Sequence, residues 1–176
     1  MGGRLDFPLT DNGKEIAERA AQGIKKYQFD KIYCSNNQRA KDTLAIVFPQ
    51  PTAEVEMTDA IKEQDYGKIT GMAIGELSAE HQSKFMEDPF YFPHEGGESL
   101  SQVKTRIASF FKNTIEKSSA KNILLLTHEN IIRVAIAYMK NLDREVSNIK
   151  FGYCSLTQYE YESGIYSCIF FNRTIS

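Results

Sequence analysis

At 176 residues, with 41% hydrophobic and 25% charged residues, the chain has the makeup of one globular domain rather than a disordered segment. Its 21 basic and 23 acidic side chains leave a net charge of −2, which excludes a nucleic-acid coat or a polybasic membrane binder. Three cysteines without paired spacing exclude a disulfide framework or zinc site, and no apolar run approaches the roughly 20 residues of a membrane span. A reducing, cytoplasmic setting is expected, and with a structured pattern from Leu5 onward no leader or signal peptide is expected.

Thr10-Asp11-Asn12-Gly13 predicts a helix cap, and Ile16, Ala20 and Ile24 with Ala17 and Ala21 form one apolar helical face behind it. Phe29 to Ser35 predicts a short strand. A helix from Gln38 turns Ala40, Thr43, Leu44 and Val47 inward until Pro49 and Pro51 stop it, and Ala53 to Met57 reads as a weak strand. The glycine- and proline-rich stretch over 58–98 predicts an irregular helical excursion over the sheet within a single domain spanning 1–176. Ser99 to Lys117 is a strong amphipathic helix on Val103, Ile107, Phe110, Phe111 and Ile115. Asn122 to Thr127 is continuously apolar and is expected at the buried centre of a sheet. A helix near Asn130 carries Ile132, Ala135, Ile136 and Met139, and Ser155 to Tyr161 pairs with Ile165 to Asn172 across Ser163-Gly164 as a hairpin. The pattern is that of an α/β fold: a three-layer sandwich with a mostly parallel central sheet and a C-terminal hairpin.

Open α/β sheets bind ligands beyond the carboxyl ends of their strands, which singles out Cys34 to Arg39 and Thr127 to Asn130. His128, at a strand end before a helix, suits either an anion or a backbone carbonyl in the core. Arg39 offers a guanidinium fork for phosphate or carboxylate, or is an ordinary surface arginine. Glu63, in the excursion, suits a general acid or a solvated loop position. Cys34 and Arg39 evoke a cysteine-dependent phosphatase loop, but only four residues separate them where such loops have five, so Cys34 reads as a small strand-end hydrophobe. The aromatic run Phe85, Phe90, Tyr91 and Phe92 either walls a substrate pocket or pins the excursion down, and the second reading is favoured.

An ordered set of segments resembles the histidine phosphatase superfamily, with its phosphoglycerate-mutase-like fold. These are Gly3 to Thr10 with Gly13, Phe29 to Ser35, Gln38-Arg39-Ala40 with Thr43, and Ile61 with Glu63, Tyr66, Gly67 and Gly71. Gly96-Gly97-Glu98-Ser99 with Val103 and Arg106 follows, then Thr127-His128 with Ile131-Ile132-Arg133. The short spacing from Glu63 to Gly96 is similar to small phosphatases such as α-ribazole phosphatase. The resemblance implies a phosphomonoester hydrolase acting through phosphohistidine on a small phosphorylated substrate, without metal or other cofactor, without a nucleic-acid or membrane partner, and compatible with a homodimer. It implies His128 as the second histidine, Arg39 as the second phosphate-binding arginine and Glu63 as the acid; Arg4, Thr10 and Glu129 are further candidates for substrate binding. Glu129 departs from the family's small residues there and needs a cation or an outward course. The family's Arg-His-Gly segment is absent from the sequence, so the first central strand and the nucleophile are expected to be missing, leaving an N-terminally truncated, inactive phosphatase or, alternatively, an inert phosphoester- or partner-binding relative.

Overall fold

The computed structural model describes residues 2–175. Helix α1 (Asp11–Ile24) starts where Thr10 Oγ1 accepts from the Gly13 N–H at 3.1 Å, the capping arrangement expected of that turn. Strand β1 (Lys31–Ser35), helix α2 (Gln38–Val47) and strand β2 (Glu54–Thr58) follow. The excursion holds helix α3 (Ala79–Glu87) and two 3-10 turns, at Gly67–Ile69 and Ile74–Glu76. Helix α4 (Leu100–Phe110) is capped by Ser99 and Gln102 and widens into a π turn at Phe111–Ile115. Strand β3 (Ile123–Leu126), helix α5 (Glu129–Lys140) and the hairpin β4 (Ser155–Glu162) with β5 (Ile165–Thr174) complete the chain.

The parallel sheet has the order β2-β1-β3, and the antiparallel β4-β5 pair forms a second sheet. On one face, Tyr33, Ile123 and Leu125 pack against α4 and α5 through Val103, Ile107, Phe110, Ile131 and Val134. On the other, Ile32, Cys34, Leu124 and Leu126 pack with Ala40 and Leu44 of α2. This alternation follows from the period-2 geometry of a strand covered on both faces. Helix α1 joins the hairpin through Ala20, Ile24, Leu156 and Ile175.

One expectation is corrected. Asn122 to Thr127 is not at the centre of the sheet: β1 is central, and β3 is an edge strand of intermediate burial. A continuous apolar run reports cover on both faces, and β3 has that cover; it carries no information on lateral neighbours. Beyond the free edge of β3 lies a cavity of about 580 Å³, bounded across the gap by Ser155 and Leu156 of β4.

Candidate active site

The carboxyl ends of β1 and β3 carry the polar residues of the site. Thr127 leaves β3 and donates through Oγ1 to the Ile61 carbonyl at 2.7 Å. His128 follows as the N-cap of α5, with extended backbone and a buried ring whose Nε2 lies 2.7 Å from Ser35 Oγ. Burial, with Arg39 and Arg106 nearby, pushes its pKa down to about 3, so the imidazole is neutral at physiological pH. Ser35 also accepts the Asn37 N–H at 3.3 Å. Asn37 is fully buried, its Oδ1 accepts the Glu63 N–H at 3.2 Å, and its Nδ2 is buried without a partner.

Arg39 stands in the first turn of α2. Its Nη1 donates to the Leu5 carbonyl at 3.1 Å and its Nη2 to the Gly3 carbonyl at 3.0 Å, so the segment after Gly2 is laced across this helix end. Asp6 Oδ1 accepts the Gln38 N–H at 2.5 Å, placing a carboxylate on the positive end of α2. Burial lowers the Arg39 pKa, opposed by Glu63 and Asp6.

Glu63 lines the same cavity as Arg39 and His128. Desolvation pushes its carboxyl up to about 7, against the lowering effect of the Gln64 N–H, which donates to Oε1 at 2.8 Å, and of Arg39. This sign has a consequence for folding. A carboxyl whose folded pKa is raised contributes stability that is fully present below its unfolded value near 4.5 and lost as pH rises through 7. Glu63→Gln, which fixes the neutral form, is therefore expected to gain stability relative to the parent between pH 5 and pH 8 in urea titrations. A gap that does not change with pH would show that the carboxyl titrates normally.

The remaining sequence-predicted residues are placed as follows. Arg4 is held by Glu98 at 3.1 Å, Asp65 at 3.4 Å and the Glu63 carbonyl at 3.3 Å, and it buttresses the Glu63 segment from behind. Thr10 is the exposed cap of α1 and lines the cavity. Glu129 also lines the cavity and has the required cation: its Oε1 accepts from Arg133 Nη2 at 2.7 Å, one helical turn on. The Cys34 thiol is fully buried among apolar side chains, and burial pushes it up to about 11, the reverse of what a nucleophilic thiolate requires. Of the aromatic run, Phe90 is in the core, Phe85 and Phe92 surround His94, and Tyr91 donates to Asp143 Oδ2 at 2.8 Å. These rings pin the excursion, and none of them lines the cavity.

A polar relay was not legible in the sequence. Asn130 Nδ2 donates to Gln64 Oε1 at 3.0 Å and to the Tyr66 hydroxyl at 2.9 Å, while Gln64 Nε2 donates to the Glu98 carbonyl at 2.8 Å. Glu98 is its anchor, accepting from Arg4, from both Nε and Nη2 of Arg106, and from the Asp65 N–H. Single polar residues of this kind have no periodicity to mark them as buried.

The arrangement of a neutral histidine, a guanidinium and an acid with a pKa near neutrality at a strand-end cavity suits phosphoryl chemistry. Comparison with known proteins agrees. The profile of the histidine phosphatase superfamily (branch 1) matches residues 1–174. A 2,3-bisphosphoglycerate-dependent phosphoglycerate mutase 2 from Gloeobacter violaceus is 28% identical, over 97% of this chain and 83% of its own. Phosphoserine phosphatase 1 from Hydrogenobacter thermophilus is 27% identical over 80% of this chain and 68% of its own. Among solved structures, the α-ribazole phosphatase from Shigella flexneri superposes with a TM-score of 0.87 at 20% identity, covering 99% of this chain and 89% of that one. A mutant phosphoserine phosphatase from Entamoeba histolytica in complex with phosphoserine superposes at 0.86 with 24% identity, over 99% and 88% of the two chains. At these identities the structural likeness speaks for the fold, and the profile match for the lineage. The chain belongs to the histidine phosphatase superfamily.

Proposed function

We propose that this chain has the phosphate-holding half of a phosphomonoesterase that works through phosphohistidine, and that it turns over little or no substrate by itself. The single observation that carries the reading is the convergence of His128, Arg39 and Glu63 on one cavity, with Glu63 held near neutral pKa. In the reaction, neutral His128 donates to a phosphoryl oxygen and Arg39 balances developing negative charge. Protonated Glu63 would deliver its proton to the leaving ester oxygen only where an attacking imidazole, additional to the three histidines of this chain, takes the phosphoryl group as the P–O bond breaks. The attacking imidazole is the part not found: His81 and His94 stack on one another, with ring centroids 5.9 Å apart, within the aromatic cluster of the excursion. Residues 58–98 act as the cap of the site, and a small phosphorylated compound is the ligand class.

Two measurements test this. Hydrolysis of p-nitrophenyl phosphate by the chain is expected to stay at background between pH 6 and 8. Inorganic phosphate is expected to bind, followed by calorimetry, with His128→Ala and Arg39→Ala each weakening it about tenfold or more, the scale of a charge-assisted contact. Robust hydrolysis abolished by His128→Ala would overturn the missing-nucleophile reading. Hydrolysis abolished only by Cys34→Ser would move the chemistry to the thiol. Phosphate affinity indifferent to both His128 and Arg39 would end the phosphate reading.

A further inference from the structure

We propose that the paired rings of His94 and His81 form an acid-released latch, which holds helix α3 against the rest of the excursion while His94 is neutral and frees it when His94 takes a proton. None of the nine residues of α3 is fully buried. Its inward face is made by His81 and Phe85, one helical turn apart, and these two rings meet Phe92 and His94 of the following loop. The far end of the segment is pinned separately: Phe90 lies in the core, Arg144 Nη2 donates to Asp88 at 2.7 Å and the Tyr91 hydroxyl to Asp143 at 2.8 Å. What holds α3 itself is the ring cluster, and an element with so little buried surface is among the first to open locally.

His94 is the centre of that cluster. It is 2% exposed, and the rings of Tyr66, His81, Phe85 and Phe92 stand around it with centroids 5.0 to 5.9 Å away. Both of its nitrogens, and Nε2 of His81, are enclosed without a hydrogen-bond partner. A neutral imidazole tolerates this, since aromatic faces accept an N–H weakly. An imidazolium brings a second N–H and a whole charge to a place with no acceptor. The groups facing it supply no counter-charge. On α3 the titratable neighbour is His81, Glu80 and Lys84 pair with each other, and Glu87 is exposed. Tyr66 comes from the turn where Asp65 pairs with Arg4, and Glu95, next to His94, pairs with Lys68. Burial, with His81 adding to it, pushes the His94 pKa down to about 4. A folded value below the ordinary 6.5 contributes stability that is present above 6.5 and lost as pH falls towards 4. Hydrogen bonds from Arg144 and Lys104 hold Asp88 and Asp143 below the usual carboxylate range, so the far pins keep their charge over that window. Glu63 acts in the opposite sense, because its raised value favours the closed fold as pH falls. Tyr66 joins the latch to the site: its ring packs on His94, and its hydroxyl accepts from Asn130, two residues after His128.

The latch is independent of the phosphate reading, because its test involves neither phosphate nor turnover. Amide exchange of the full 176-residue chain is followed by mass spectrometry at pH 7 and pH 5 and expressed as protection factors, which removes the intrinsic pH dependence. With His94 regaining its ordinary value once the segment opens, protection of residues 79–87 is expected to fall about twentyfold from pH 7 to pH 5. Protection of 129–140 in α5 should change by less than about twofold, since the opening is local. In His94→Phe the fall should shrink below about threefold, and His94→Leu makes the same test should the larger ring overpack the cluster. In the parent, the ring nitrogens of His94 should keep the NMR shifts of the neutral form at pH 5. The proposal fails if protection of α3 in the parent does not fall, if both variants lose as much as the parent, or if α5 loses protection to the same extent. It also fails if His94 titrates near 6.5 while α3 stays protected, since the closed cluster then accepts the charge.

Discussion

Gly67→Ala is expected to lower the stability of the protein by about 3–5 kcal/mol, combining the penalty of a left-handed β-carbon with severe overpacking. Gly67 has φ +55°, and a β-carbon there would lie 2.1 Å from the Glu95 carbonyl oxygen and 2.6 Å from both Gly96 C and Gly97 N. All three are backbone atoms, so no side chain can rotate aside. The close approach exists because the two loops are joined there: Lys68 N–H donates to the Glu95 carbonyl at 3.0 Å and Glu98 N–H to the Asp65 carbonyl at 2.8 Å. Separating them would displace Glu63, four residues upstream of Gly67. The measurement is a thermal melt, with a fall of roughly 6–20 °C expected for a chain of this size. Gly75→Ala is the matched control, because a β-carbon at Gly75 meets nothing within 4 Å; it should change stability by no more than about 0.5 kcal/mol. Equal behaviour of the two variants would show that the loop junction is not rigid.

Glu98→Ala is the second large effect, expected at about 2–4 kcal/mol. The carboxylate faces Arg4 and Arg106 and accepts the Asp65 N–H, with about a fifth of its side chain exposed, so the loss falls below that of a fully enclosed ion pair. Removing it leaves Arg106, itself about one-fifth exposed, with its bonds to the Ala60 and Lys62 carbonyls but no counter-charge. Those carbonyls lie just ahead of Glu63, so phosphate binding should weaken along with stability. Glu98→Gln keeps one acceptor and should fall between the parent and Glu98→Ala in urea denaturation. A midpoint unchanged in Glu98→Ala would show that the two arginines are satisfied by solvent.

Most elements were legible because their signals are local. The Thr10 and Ser99 caps, the apolar face of α1 and the Ser163-Gly164 turn are each decided by interactions within a few residues. The family motifs carried His128 and Arg39 to the carboxyl edge of the sheet for the same reason, since strand, short loop and helix follow one another in the chain, whereas Glu63 stands in the irregular excursion after β2. Long-range geometry was another matter. Two arginines of the same residue type have different uses, Arg39 bridging carbonyls of the N-terminal segment and Arg106 anchoring Glu98, and neither use can be read from their neighbours in sequence.

The amino-acid sequence by itself determined the order and type of the elements, the family, and which residue types stand at strand ends, since all of these follow from short-range periodicity, capping and spacing. Only the tertiary structure decided that β3 is an edge strand facing β4 across a cavity, that Glu129 pairs with Arg133, that the Cys34 thiol is fully buried, and that desolvation pushes the Glu63 carboxyl up to about 7. Lateral strand order, enclosure and local dielectric arise from contacts between residues tens of positions apart, and an apolar or charged residue has the same letter whether its neighbour is a strand, a counter-ion or an open slot.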